Sequence, residues 1–291
     1  MLGGMEKQMT YTINNGKIQI TVNEMGAELI SVVVDGKEWI WQNPTGEWAG
    51  HSPLLFPVCG HCGVKHNGVE YPIKAHGFAK RTNFALVAQG EDYLDFTISA
   101  NEETKKMYPF DFVLHVLYRI SGAKLTVEYA VENTGDEPLY FACGSHESYN
   151  LNGNVDDYQI TFEKEEEFTY HFHNDDGYMT GETKNVGAGK TFALPRDFLQ
   201  ESRTVIFKDI QSRKVRLEEK SGKAVAELCF DGCFANLLLW REGDAPYICI
   251  EPWTCLPDNA NVPDVEFSTK YGTVEVAPKT VKTMVHSIEY L

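Results

Sequence analysis

Two histidines and one glutamate have the side chains that acid–base chemistry requires, and each stands at the end of an apolar, β-forming stretch. His76 follows a short β-forming stretch and precedes Gly-Phe, and His146 follows an apolar run that ends in Gly-Ser. Glu251 ends a third apolar run. Imidazole and carboxylate groups can hold opposite protonation states near neutral pH, so one can donate a proton while the other accepts one. We therefore expect strand ends to bring these three groups to one cleft.

The third run reads Tyr247-Ile-Cys-Ile-Glu251-Pro-Trp253. Its first four residues are β-formers with almost no polar surface, which predicts a buried strand. Pro252 predicts that regular pairing stops directly after the carboxylate. Trp253 offers a flat apolar face with one N–H donor, the kind of surface on which sugar rings stack. Taken singly, Glu251 has a plainer interpretation as the cap of a strand end, and His76 has one as a structural hydrogen-bonding residue.

The elements that must position these residues are predicted to be strands. The dipeptides Asn15-Gly16 and Asp35-Gly36 mark hairpin turns, and short β-rich runs recur with polar turns between them. Strands are predicted at 93–99, 110–119, 124–132, 159–162, 214–218 and 224–230, helical turns at 102–107 and 195–201, and a solvated strand end at the charged run 163–167. This pattern predicts an all-β protein, a large antiparallel β-sandwich. We expect one domain over residues 1–291, with residues 1–9 as a disordered leader.

Charge and cysteine content restrict the partners and the compartment. The formal net charge of −16 argues against nucleic acid and anionic membranes as partners, because both attract basic surfaces. No run of about 18 apolar residues is present, and residues 1–10 lack the apolar core of a signal peptide. The cysteine count of 7 is odd and fits reduced thiols. We expect a cytoplasmic protein that is a monomer or a weak homodimer.

Four motifs occur in the same order as in the aldose 1-epimerase (galactose mutarotase) superfamily, and the chain most resembles the LacX-like branch of that superfamily. The motifs are Leu55-Phe-Pro-Val, His76-Gly-Phe-Ala-Lys80, Gly144-Ser-His146 and Cys249-Ile-Glu251-Pro-Trp253. Further similarity at 26–31, 39–48 and 267–272 extends the resemblance over nearly the whole chain. The resemblance implies a large β-sandwich with a cleft for a monosaccharide, and it implies no metal, nucleotide or other cofactor.

The resemblance also implies roles for individual residues. The histidine matched by His146 is the general acid that protonates the sugar ring oxygen, and the glutamate matched by Glu251 is the base that takes the proton of the anomeric hydroxyl. His76 matches a histidine that hydrogen-bonds the sugar near its ring oxygen. Trp253 and Tyr149 are further expected sugar contacts. The implied activity is interconversion of the α and β anomers of a free hexose.

The chain departs from the family pattern at its charged sugar contacts. The arginine that follows the Phe-Pro strand in the family is replaced by His61 or Cys62, and the arginine of His-Gly-Phe-Ala-Arg is replaced by Lys80, with Arg81 next. Lysine keeps the charge but loses the forked guanidinium. We expect His61, Lys80 and Arg81 to contact the substrate. Glu147, which follows His146 where the family has proline, either raises the pKa of that imidazole or points away from it.

These departures leave two alternatives open. A hexose-6-phosphate 1-epimerase would need a basic cluster, for which Lys74, Lys80 and Arg81 are the nearby candidates. A non-catalytic carbohydrate-binding protein is favoured by the missing arginine and by a missing aspartate, whose place is taken by Ser202 and Arg203. In every case the expected partner is a monosaccharide, a hexose with or without phosphate.

Two other patterns point to different chemistry. Cys59-Gly-His-Cys62 has the spacing of a thiol-oxidoreductase centre, but a turn follows it rather than the helix that lowers a thiol pKa. With His66 these cysteines form a partial set of zinc ligands, for which adventitious metal binding is the expected outcome. Asp231 offers a second carboxylate for a glycosidase mechanism with Glu251, but its Asp-Gly sequence favours a turn.

Overall fold

Strands form most of the regular structure, as expected from the alternation of β-branched or aromatic residues with polar ones. The computed structural model describes residues 8–200 and 204–291. Its strands are β1 (Thr10–Asn14), β2 (Ile18–Asn23), β3 (Glu28–Val34), β4 (Lys37–Glu38), β5 (Val64–His66), β6 (Val69–Tyr71), β7 (Ala85–Gln89), β8 (Tyr93–Ser99), β9 (Phe112–Ser121), β10 (Lys124–Asn133), β11 (Leu139–Phe141), β12 (Glu147–Asn150), β13 (Tyr158–His173), β14 (Met179–Ala193), β15 (Val205–Phe207), β16 (Lys214–Glu219), β17 (Ala224–Phe230), β18 (Asn236–Trp240), β19 (Tyr247–Trp253), β20 (Val274–Val276) and β21 (Val281–Tyr290).

Helices are short, which agrees with the near absence of helical periodicity in the sequence. The α-helices within the described residues are α1 (Glu102–Lys105) and α2 (Arg196–Gln200), and 3₁₀ turns span Ala79–Arg81, Val155–Asp157 and Phe267–Thr269. Both α-helices lie inside the predicted helical stretches, of which Glu201 falls outside the described residues. Over residues 8–200 and 204–291, no helix has both the length and the apolar character needed to cross a bilayer.

The strands form large antiparallel sheets. Within the described residues, the largest sheet has nine strands in the order β14-β13-β16-β17-β21-β10-β9-β8-β7. A second sheet has the order β12-β19-β18-β15, and a third has the order β1-β2-β3-β4. Two-stranded ribbons pair β5 with β6 and β11 with β20. The predicted all-β architecture of packed antiparallel sheets is confirmed.

The sheet that contains β19 is buried on both faces. Ile248 and Ile250 belong to the main hydrophobic cluster, which also holds inward side chains of the nine-stranded sheet such as Val116. Cys249 and Trp253 belong to two smaller clusters on the opposite face. Because successive side chains of a strand point to opposite faces, one face of this sheet packs into the sandwich and the other forms the floor of a cleft.

Most of the predicted strands and turns are observed, with end residues that differ slightly. Asn15-Gly16 lies in the turn from β1 to β2, and Asp35-Gly36 lies in the turn from β3 to β4. The strands β8 and β17 coincide with the predicted runs 93–99 and 224–230. Of the predicted leader, residues 1–7 lie outside the described residues, whereas the carbonyl of Met9 accepts a hydrogen bond from the Glu24 N–H (3.0 Å).

The predicted end of β19 is wrong, because the strand continues through Pro252 to Trp253. The Pro252 carbonyl accepts a hydrogen bond from the Ser145 N–H at 3.3 Å, so the proline nitrogen faces the same side of the strand. On that side β12 has already ended, at the pair of Glu147 with Ile250. The missing N–H therefore removes no bond of the ladder, and pairing with β18 continues.

The charged run 163–167 also lies inside a strand rather than at its end. The pairing register of β13 with β14 shifts between Thr161 and Glu166, and Glu166 is buried while Glu163, Glu165 and Glu167 are exposed. The Glu166 carboxylate accepts hydrogen bonds from the backbone N–H groups at positions 211 and 212, the shorter at 2.6 Å. A bulge and these two donors explain how an acidic run continues a strand.

Candidate active site

His146 and Glu251 meet at the floor of a cleft of about 810 Å³. His146 Nε2 lies 3.4 Å from Glu251 Oε1, and 11% and 2% of the two side chains are exposed. The register of β12 with β19 accounts for this meeting. Glu147 pairs with Ile250 in this antiparallel pair of strands. His146 therefore lies opposite Glu251, and both side chains lie on the cleft face.

The glycine in Gly144-Ser-His146 is required by a close approach to Trp253. A Cβ at position 144 would lie 2.6 Å from Trp253 Cδ1 and 3.2 Å from Cys59 Sγ. The backbone of Gly144 bridges to both Leu55 and Trp253. The chain therefore passes directly along the Trp253 indole before it delivers His146 to the cleft.

His76 reaches the cleft from a strained turn. Its φ is +62°, and that of Gly77 is +69°. A Cβ at position 77 would lie 2.2 Å from the Phe56 carbonyl oxygen, so only glycine fits there. The Gly60 N–H donates to His76 Nδ1 at 3.0 Å, which places the ring proton on Nε2.

The environment keeps His76 in that neutral form. Burial, aided by the charge of Lys80, lowers the pKa of His76 well below its usual value. The His76 ring meets that of Trp253 edge to face, with 5.5 Å between the centroids. His76 therefore lines the cleft as a neutral side chain with one N–H to donate.

Burial also governs the protonation of the central pair. It raises the pKa of Glu251 well above its usual value, and the charge of Glu147 adds to that rise. Burial lowers the pKa of His146 to about 3, aided by the charge of Lys80. Among the described residues, neither Glu251 Oε1 nor His146 Nδ1 has a hydrogen-bond partner. Each group favours its uncharged form, so the pair holds one titratable proton, which lies on the Glu251 carboxyl.

Aromatic rings form the walls around this pair. Trp48 stacks on His146 with 5.2 Å between centroids and an interplanar angle of 27°. Trp240 meets the same imidazole edge to face at 5.5 Å. No sequence motif marked Trp48 or Trp240 as a site residue. Trp48 ends a segment that is similar to the family, and Trp240 carries no such signal.

The basic side of the cleft is formed by Lys80 and Arg81. Burial and the charge of Arg81 lower the pKa of Lys80 to about 8, although Glu28 and Glu251 act in the opposite direction. Arg81 Nη1 donates to the Gly77 carbonyl oxygen at 3.1 Å, which holds the guanidinium near the turn. Lys74 is exposed and does not line the cleft.

The rim of the cleft is closed by the turn that joins β13 to β14. The turn contributes Asp175 and Asp176 to the lining. His61 also lines the cleft, and its ring packs on that of Tyr178 with 5.0 Å between centroids. The rim therefore adds two carboxylates and one imidazole around the opening.

The structure brings His61, His76, Lys80, Arg81, His146, Glu251 and Trp253 to one cleft. Tyr149 is the exception, and its predicted position at the cleft is wrong. Its side chain is fully buried in the main hydrophobic cluster. Glu147 and Tyr149 point to the core face of β12, because they alternate with His146 and Ser148.

Glu147 points away from His146, toward the nine-stranded sheet. It accepts hydrogen bonds from His286 Nε2 at 2.8 Å and from Ser145 Oγ at 2.7 Å. Burial acts to raise the pKa of Glu147, but His286 and Ser145 outweigh burial, and the pKa lies below its usual value. A charged carboxylate therefore lies behind the cleft floor.

The competing patterns lead to no second site. Burial raises the thiol pKa of both Cys59 and Cys62 well above its usual value, the opposite of what a redox centre needs. His66 does not join them in a group of three ligands among the described residues. Asp231 accepts hydrogen bonds from the backbone N–H groups of Cys233 (2.8 Å) and Val285 (2.7 Å), as the turn interpretation predicts.

A family model described as aldose 1-epimerase matches residues 9–252. The chain belongs to the aldose 1-epimerase family. Two relatives in this family are proteins of Lactococcus lactis subsp. lactis, named "Protein LacX, chromosomal" and "Protein LacX, plasmid". They are 28% identical over 268 residues and 29% identical over 266 residues, and each match covers 85% of this chain and 88% of the relative. The predicted LacX-like resemblance is confirmed.

Solved structures with the same fold support this membership of the aldose 1-epimerase family. A galactose mutarotase related enzyme from Lactobacillus acidophilus is 25% identical, with a TM-score of 0.88 over 97% of each chain. A galactose mutarotase-like protein from Lactobacillus casei is 27% identical, with a TM-score of 0.88 over 97% of this chain and 100% of that chain. The predicted galactose mutarotase-like sandwich is confirmed.

Proposed function

We propose that this protein is an aldose 1-epimerase, which interconverts the α and β anomers of a free hexose by opening and closing the sugar ring. The observation that carries the proposal is the contact of His146 with Glu251, 3.4 Å apart at the floor of a cleft of about 810 Å³. The membership of the family and the names of its mutarotase-related structural neighbours support the same reaction.

The two groups suit the two oxygens that change protonation. The ring oxygen gains a proton and the anomeric hydroxyl loses one, and both oxygens are bonded to the same carbon. A donor and an acceptor must therefore lie close together, as His146 and Glu251 do. His146 protonates the ring oxygen, Glu251 takes the hydroxyl proton, the ring opens to the aldehyde, C1 rotates, and reclosure gives the other anomer. Each such proton transfer contributes about 10²–10⁴ in rate.

The protonation state of the unliganded pair fits one stage of this cycle. Because burial disfavours charge on both groups, the single proton resides on Glu251 and His146 is neutral. That distribution is the one that ring opening produces. Ring closure can start directly from this state, with the proton on Glu251. Transfer of that proton from Glu251 to His146 across their contact gives the state from which ring opening starts.

The remaining cleft residues orient the sugar. His76 Nε2–H is a neutral donor for an oxygen near the ring, and the Trp253 face is apolar. Lys80 and Arg81 supply positive charge on one side of the cleft. In a hexose 6-phosphate these two cations would hold the phosphate, and this pair of cleft cations is the feature that favours the phosphorylated alternative.

The test follows freshly dissolved α-glucose and α-galactose, and the 6-phosphates of both sugars, toward anomeric equilibrium by NMR. Wild type is compared with His146→Ala, Glu251→Gln and an enzyme-free sample. We expect wild type to accelerate equilibration of at least one sugar and both variants to lose about 10²-fold or more of the acceleration. The fastest sugar then identifies the substrate class.

The control is Glu167→Gln, which changes an exposed carboxylate of β13 that does not line the cleft. Retention of acceleration by both His146→Ala and Glu251→Gln would contradict the assigned roles. Saturable sugar binding by folded wild type, without acceleration for any of the four sugars, would instead support a non-catalytic carbohydrate-binding protein.

A further inference from the structure

Cys249 lies beside the central pair, yet the proposed ring-opening chemistry gives it no role. It is two residues before Glu251 on β19, so its side chain shares the cleft face of the strand. Each of His146, Cys249 and Glu251 offers one ligand atom, and these three atoms all lie within 4.8 Å of one another. No other such group of three histidine, cysteine or acidic residues occurs within residues 8–200 and 204–291.

The carboxylate of this group has unfilled bonding capacity. Glu251 Oε1 is buried, lies 3.4 Å from His146 Nε2 and has no hydrogen-bond partner among the described residues. Cys249 is fully buried, whereas His146 and Glu251 also line the cleft, so a small ion can reach the group from the cleft side. A buried polar atom without a partner is costly, and a bound cation would remove that cost.

The kinds of donor specify the kind of cation. One nitrogen, one sulfur and one oxygen ligand form a set that Zn²⁺ takes, and thiolate sulfur selects softer ions over Mg²⁺ and Ca²⁺. Ligand atoms about 2.0–2.3 Å from an ion lie about 3–4 Å from each other, so modest rotations of His146 and Glu251 would close the group around zinc. Three protein ligands leave a fourth coordination position open for a water molecule.

We propose that His146, Cys249 and Glu251 form a binding site for a thiophilic divalent cation, with Zn²⁺ as the expected occupant. Binding replaces the Cys249 thiol proton, which is released to solvent, and no electron transfer is involved. Because both His146 and Glu251 bind the ion, neither side chain can exchange a proton with a sugar while the ion is bound. Reversible inhibition by zinc is therefore expected, and this consequence alone rests on the proposed function.

The binding test uses Cd²⁺ and Zn²⁺ with the purified, reduced, full-length protein. Cd²⁺ bound to a thiolate gives an ultraviolet charge-transfer band, and titration calorimetry measures Zn²⁺ directly. We expect wild type to show one saturable site, and Cys249→Ala to lose the band of that site and at least about tenfold in Zn²⁺ affinity. The matched control is Cys255→Ala, which removes another buried thiol outside the group and is expected to keep the site.

Further variants keep the test decisive if Cys249→Ala does not fold. Glu251→Gln and His146→Ala retain the thiol but each removes one other ligand, so both are expected to weaken Zn²⁺ binding by about tenfold or more. Absence of a saturable site in wild type, or undiminished binding in all three variants, would overturn the proposal.

Activity provides a separate readout. If wild type accelerates mutarotation, Zn²⁺ should suppress the acceleration at the concentrations at which it binds, and a chelator should restore it. Zinc binding without any mutarotation would contradict the proposed function and support the metal site. Mutarotation without zinc binding would support the proposed function and contradict the metal site.

Discussion

Lys80 is a cleft residue whose charge changes near physiological pH. Its pKa is lowered to about 8 by burial and by the neighbouring Arg81. The amine is therefore charged at pH 7 and loses its charge as the pH rises above about 8. A sugar oxygen or phosphate held by this amine would lose a charged donor over the same range.

The first prediction concerns the alkaline limb of the activity profile. With the substrate identified by NMR, kcat/KM of wild type should fall as the pH passes about 8. Lys80→Arg should move this limb to higher pH, because a guanidinium stays charged. Lys80→Met should lower kcat/KM at pH 7 by about 10- to 100-fold, the loss of one hydrogen bond to a charged group, and should show no limb near pH 8. An identical limb in wild type and Lys80→Arg would exclude Lys80 as its source.

At the residue scale, the groups that could do chemistry are easier to predict from the sequence than the residues that surround them. His76, His146 and Glu251 are polar residues at the ends of apolar stretches, so the sequence itself singles them out. Trp48 reaches His146 only through tertiary packing, which no local pattern records. Tyr149 was misplaced because strand alternation from His146 sends every second side chain to the core.

At the scale of elements, one buried contact ties the strand next to His146 to the nine-stranded sheet. Glu147 of β12 and His286 of β21 are each 1% exposed and are joined by a contact of 2.8 Å. A buried carboxylate is costly unless its partners remain. The contact therefore restrains the segment that carries His146.

The second prediction is that His286→Ala lowers the free energy of unfolding by about 3–5 kcal/mol, because the Glu147 carboxylate is left without its main partner. The double variant Glu147→Gln, His286→Ala should be less destabilised than the sum of the two single variants. Chemical denaturation in a double-mutant cycle measures this coupling. Additive losses would show that the two side chains do not stabilise each other.

The course of β19 and β13 shows where element prediction failed. Pro252 indicated a strand end, but its nitrogen faces the side on which β12 has already stopped. The acidic run of β13 indicated solvent, but a bulge turns Glu166 inward onto two backbone donors. In both cases the deciding group is a neighbour that is distant in the chain, whereas local turn signals such as Asn15-Gly16 were sufficient for the hairpins.

At the scale of the whole molecule, the raised pKa of Glu251 links folding to proton uptake. The pKa of the unfolded carboxyl has its ordinary value of 4.5, and burial raises the folded pKa well above it. A raised pKa contributes stability that is fully present below the unfolded pKa and is lost as the pH rises through the folded pKa. The unfolded His146 loses its charge as the pH rises past about 6.5, whereas the folded one is already neutral, so the effect of Glu251 is separated by comparison with a variant that keeps His146.

The third prediction compares the stability of Glu251→Gln with that of wild type between about pH 6.5 and 8.5. Glutamine resembles the protonated carboxyl, so the variant should gain stability relative to wild type as the pH rises, by up to about 1.4 kcal/mol per pH unit. Urea denaturation at several pH values measures the difference, with Glu167→Gln as the control for loss of one exposed carboxylate. A difference that stays constant with pH would contradict a raised pKa at Glu251.

The distribution of tryptophan gives the whole molecule an optical property. Of its 5 tryptophans, Trp48, Trp240 and Trp253 line the cleft, whereas Trp39 and Trp41 are buried and do not line it. Indole emission depends on the polarity and the quenching groups around the ring, and the His146 imidazole lies against Trp48. Intrinsic fluorescence should therefore report occupancy of the cleft by a sugar, without a label and without turnover.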